Sequence, residues 1–99
     1  MKVLTIDFID VENGDEFYKA VKSGLELPDG CEDNLDAVLD AVLGYTEYPD
    51  VIHVNVGDKL PKDLKREYSK LVKALATAQV YYKDKWFDMD VNRISSAVL

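Results

Sequence analysis

Two runs rich in β-branched residues, Val3 to Ile9 and Val51 to Val56, are separated by about forty residues whose apolar positions recur at helical rather than alternating spacing. Strands joined across so long a connection do not form a hairpin. They pair in parallel, with the intervening helices laid over the sheet.

The connection reads as two helices. Asn13 followed by Glu16 has the form of a capping box, and Phe17, Ala20, Val21 and Leu25 then recur at helical spacing up to a stop at Leu27 and Pro28. Asp33 offers a second N-cap, after which Leu35, Val38, Leu39 and Val42 form an apolar stripe that ends at Gly44. Beyond the second strand, which Gly57 and Asp58 close, Pro61 opens a helix of about five turns marked by Leu64, Tyr68, Leu71, Val72, Leu75, Ala78 and Tyr82. Trp86, Phe87, Met89 and Val91 suit a last strand. The predicted fold class is α/β, a three-stranded parallel sheet with helices packed over it in the order β-α-α-β-α-β. Val3 to Ile9, broken only by Thr5 and Asp7, is expected to be covered on both faces, and Val51 to Val56 to be mostly buried. No repeat or linker divides the chain, so residues 1–91 are expected to form one domain, with 92–99 a tail of unassigned structure.

Charge is distributed unevenly along this pattern. Between Asp29 and Asp50 stand seven acidic residues, Asp29, Glu32, Asp33, Asp36, Asp40, Glu47 and Asp50, and no Lys or Arg. The other twelve carboxylates are matched by twelve basic residues, so the net charge of -7 arises in this one stretch. Like charges on one helix and its flanks repel and add nothing to folding, whereas a basic partner gives them a use. The same charge argues against nucleic acid or an anionic membrane as a direct ligand. Asp7 and Asp10 interrupt the first apolar run before a secretory core could form, and the single Cys31 suits a reducing compartment, so the expected location is cytoplasmic.

Within the window the acids are not equivalent. Asp33 and Asp36 fall at the cap and first turn of the predicted helix, where negative charge favours the helix dipole and local stability accounts for them. Asp40 sits toward the other end, opposes the dipole and repels Asp36 one turn away. Taking Leu35 as the core direction at about 100° per residue, Asp36 and Asp40 share a flank fringed by Leu39 and Leu43. Tyr45, Glu47 and Tyr48 follow immediately, and aromatic side chains with polar tips are enriched at interface centres.

The stretch from Leu25 to Pro49, LELPDGCEDNLDAVLDAVLGYTEYP, resembles the signature of the barstar family of intracellular ribonuclease inhibitors. The match is ungapped at Leu27, Pro28, Asn34, Leu35, Asp36, Ala37, Asp40, Gly44, Glu47, Tyr48 and Pro49. The resemblance implies a protein that plugs the active site of a basic microbial ribonuclease with its second helix and the loop before it. Asp40 matches the family aspartate that occupies the substrate-phosphate site, and Asp36 and Asn34 match neighbouring contact positions. The candidate partner-binding residues are therefore Asp40, Asp36, Asn34, Leu39, Tyr45, Asp33, Gly30 and Glu47. Gly30 stands where the family has a tyrosine, Leu39 and Tyr45 where it has tryptophans, and Thr77 where a late-helix glutamate helps the contact.

Other classes are weaker. His53 is the only histidine and lies on a predicted strand with no nucleophile nearby in sequence, and Asp36 with Asp40 on an open helix flank lacks the shaped cleft that paired-carboxylate chemistry uses. No catalytic residues are assigned. Asp29, Glu32, Asp33 and Asp36 lack the alternating ligands and central glycine of an EF-hand loop, so no metal and no cofactor are expected. Tyr81, Tyr82, Lys83, Lys85 and Trp86 interleave bases and aromatics, but a helix end and the following strand explain them. The expected partner is a basic protein, a ribonuclease by the resemblance, bound by a chain that is a monomer when free. A domain of the same fold binding a non-nuclease basic protein is the alternative.

Overall fold

In the computed structural model, which describes residues 2–28, 30–44, 49–81 and 88–94, strand β2 (Val51–Gly57) lies between β1 (Val3–Asp7) and β3 (Asp88–Ile94) and runs parallel to both. Helices α1 (Gly14–Gly24) and α2 (Leu35–Leu43) fill the first crossover, and α3 (Lys62–Tyr81) fills the second. The fold is thus the expected α/β arrangement in the order β-α-α-β-α-β. Trp86, Phe87, Tyr82 and the tail beyond residue 94 lie outside the described residues. β3 continues past Val91 to Ile94, because β2 offers backbone partners as far as Gly57 opposite Ile94.

Register decides which side chains meet. Leu4, Ile52 and Met89 stand in one row across the sheet, and Ile6, Val54 and Val91 in the next. These rows form one cluster with Phe17 and Val21 of α1, Val38 and Val42 of α2, and Leu64, Leu71 and Leu75 of α3. A single cluster means that all three helices cover the same face. Sequential strand order explains this, since two crossovers of one hand return over the same side.

The opposite face corrects an expectation. On β1 the burial alternates, with Val3 44% exposed and Thr5 and Asp7 also open, so the strand is covered on one face only and ends at Asp7 rather than Ile9. Asp7 ends it by accepting the Ile9 amide on its side chain at 3.0 Å, a short turn that leads the chain away. On β2 the same face carries Val51, His53 and Asn55, half-buried, with Asn92 of β3 donating to Asn55 at 3.4 Å. The apolar look of these strands reflects β-propensity as much as burial.

Helix α1 begins as the sequence implies. The Asn13 carboxamide oxygen accepts the Glu16 amide at 2.9 Å, while Glu16 reaches back to the Glu12 amide, one residue earlier than a standard capping box. Tyr18 then bridges to α3 by donating its hydroxyl to Glu67 at 2.8 Å, and burial together with that carboxylate pushes the phenol pKa upward. The hydroxyl is therefore kept as a proton donor.

The helix stops at Gly24, earlier than Leu27 and Pro28. Leu27 N–H donates to the Lys22 carbonyl at 2.9 Å and Glu26 N–H to that of Ser23 at 3.3 Å, the paired bonds of a Schellman turn. That turn needs a left-handed residue, and Glu26 occupies the position with φ of 55°. A side chain there is disfavoured relative to glycine, and the exposed 3.8 Å pair from Glu26 to Lys2 returns little. Glu26→Gly is expected to raise stability by about 0.5–1 kcal/mol, read as a higher urea midpoint at unchanged slope.

Candidate partner-binding surface

Helix α2 is held by two fully buried valines, Val38 and Val42, each worth roughly 1.5–3 kcal/mol on burial. They, rather than Leu35, which is only half-buried, define the direction of the core. Measured from their midpoint at about 100° per residue, Asp36 lies about 140° away and Asp40 about 180° away. Asp40 therefore points straight out from the core. Both carboxylates are exposed, and among the described residues neither makes an ion pair. The last turn of α2 carries no basic residue, so nothing on the helix itself offsets Asp40. Leu39 and Leu43 are half-buried on the flank beside it.

The start of α2 departs from expectation by one residue. Asn34, not Asp33, is the N-cap, with φ of -150°, ψ of 159° and its side-chain oxygen accepting the Ala37 amide at 2.8 Å. Its side-chain nitrogen donates to the Glu32 carboxylate at 3.3 Å. Asp33 is released from capping and instead pairs with Lys22 of α1 at 2.6 Å. The same ammonium donates to the Cys31 carbonyl at 3.3 Å. Asp33 is thus compensated within its own molecule. Asp50 is likewise engaged at home, since its carboxylate accepts the Lys2 amide at 2.6 Å.

Of the candidate residues, Asp36, Leu39 and Asp40 lie on α2, Asn34 caps it, and Gly30 lies in the loop leading into it. Gly30 is exposed, and a Cβ built there would meet nothing within 4 Å, so no neighbouring atom requires a glycine at the position where the family carries a tyrosine. Tyr45 and Glu47 lie outside the described residues, as do Asp29 and Tyr48. Thr77 is exposed on α3 and returns its hydroxyl to the Lys73 carbonyl at 2.8 Å. The residue that sequence reasoning missed is Lys22. Its only signal was a lone lysine in the last turn of α1, a few positions ahead of an acidic loop.

A family model described as Barstar (barnase inhibitor) matches residues 1–93. The chain belongs to the barstar family. The match spans β1, β2, both crossovers and all of β3 but its last residue, and at the level of the barstar family the activity is inhibition of a ribonuclease by binding, not catalysis. Comparison with curated proteins finds no match. Among the described residues no helix is long and apolar enough to cross a membrane.

Proposed function

We propose that this chain is a stoichiometric inhibitor of a basic ribonuclease of the barnase type, blocking the active site with α2 and the loop that precedes it. The observation that carries the reading is Asp40, exposed, directed away from the core, and free of ion pairs among the described residues. A ribonuclease pocket must hold a phosphate, so it presents cationic donors. A preorganised carboxylate on a rigid helix satisfies the same donors once water is excluded. Asp36, one turn earlier, extends the anionic edge, and Leu39 supplies an apolar flank. The exposed charge steers the encounter, while the free thiol of Cys31 suits a monomer of the reducing cytoplasm.

Titration into a purified barnase-type ribonuclease tests the reading, with RNA cleavage as the signal. Activity is expected to fall linearly and vanish at one inhibitor per enzyme; full activity at a large excess rejects it. The association rate should also drop on the order of tenfold between low and high salt, as steering by an anionic surface requires. A second reading, a non-nuclease basic partner, is favoured by Leu39 and Gly30 standing where the family carries aromatic contacts. Binding of a basic protein that leaves RNA cleavage untouched would select it.

A further inference from the structure

Among its described residues, the loop from Leu27 to Asn34 is tightened by local backbone bonds. Cys31 N–H donates to the Pro28 carbonyl at 3.0 Å, and Asn34 N–H to that of Glu32 at 2.9 Å. Such short-range bonds fix local turns but do not place the loop against the rest of the molecule. Leu27 and Cys31 do so by packing against the core, and Lys22 adds the polar tie, reaching from α1 to the Asp33 carboxylate at 2.6 Å and the Cys31 carbonyl at 3.3 Å. Its side chain is 24% exposed against 50% for Asp33, so the ammonium is the more sheltered member of the pair. As the basic residue of the last turn of α1 it also complements that helix dipole, and its position is fixed by the helix.

We propose that Lys22 and Asp33 form a latch that preorganises the partner-binding loop and the first turn of α2, with Lys22 a positioning residue rather than a contact. This rests on the reading of α2 as the partner-binding edge. Without the latch the loop loses its polar tie to α1 and opens just ahead of the Asn34 cap; where Lys22 alone is removed, Asp33 also stands unpaired between Glu32 and Asp36 and repels them. Ordering it then falls to the binding step and shortens the life of the complex. The rival role for Asp33, direct contact with the partner, predicts the opposite sign. Removing Lys22 would then liberate a carboxylate and tighten binding.

Lys22→Met, Asp33→Asn, the double variant and Lys22→Arg separate these roles. In the free protein, hydrogen exchange at the Cys31, Asn34 and Ala37 amides is expected to quicken about tenfold in both single variants, with Val54 in β2 unaffected. Against a barnase-type ribonuclease, each single variant should dissociate about tenfold faster, the double variant no faster than either, and Lys22→Arg near the wild-type rate. Unchanged exchange overturns the latch, and so does a Lys22→Met complex that is equally tight or tighter. If the wild-type chain binds no ribonuclease, the proposed function falls, and the exchange measurement alone then decides the latch in one direction or the other.

Discussion

Replacing Asp40 with alanine is expected to weaken the ribonuclease complex by about 3–5 kcal/mol, roughly two to four orders of magnitude in dissociation constant, because the partner's cationic groups stay buried without their counter-charge. The loss should appear mainly in the dissociation rate, since the desolvated pair acts after encounter. Folding stability should move the other way. Asp40 is exposed, opposes the α2 dipole and repels Asp36, so alanine at this position relieves local strain and adds a few tenths of a kcal/mol to a helix otherwise held by Val38 and Val42. Calorimetry on the free variant and kinetics on the complex read the two effects independently. A variant that binds as tightly as wild type removes Asp40 from the site; one that binds weakly because it is unfolded would show it in the melting curve. The opposed signs distinguish a residue kept for binding from one kept for the fold.

The same distinction explains which parts of the molecule could be read from sequence. Element order, the Asn13 cap, the Gly44 stop and the Val38 and Val42 stripe are local patterns with a fixed period, and each reappears in the structure. What escaped depends on neighbours distant in the chain. Asp33 looks like a cap until Lys22, eleven positions earlier, takes its carboxylate and leaves the role to Asn34. β1 looks buried on both faces until the sheet order β1-β2-β3 sends both crossovers to one side and leaves Val3, Thr5 and Asp7 open. The outward direction of Asp40 sharpened for the same reason, once burial placed the core behind Val38 and Val42 rather than Leu35. Tyr45 and Glu47 of the candidate site lie outside the described residues.

Gly24→Ala is expected to destabilise the protein by about 2–3 kcal/mol, a fall of roughly 10–20 °C in melting temperature for a chain of this size. A Cβ at this position would stand 2.8 Å from the Ile6 Cα, 3.0 Å from the Thr5 carbonyl carbon, and closer still to the Thr5 carbonyl oxygen. Every obstacle is strand backbone, so no side chain can rotate away. β1 cannot yield without disturbing the pairing of Thr5 with His53 and Ile6 with Val54, so α1 must lift instead, carrying the fully buried Phe17, Val21 and Leu25 out of register with the sheet. Gly14→Ala is the internal control, since a Cβ there meets nothing within 4 Å and alanine favours the helix. Urea unfolding should show a lower midpoint for Gly24→Ala at unchanged slope, and no loss for Gly14→Ala. Equal stability of the two variants would mean that α1 does not rest on β1 at this point. Lys22 precedes Gly24 by two residues, so a lifted helix also withdraws the ammonium from Asp33. The folded fraction of Gly24→Ala should therefore bind its partner less tightly than wild type, although no residue of the binding edge has changed.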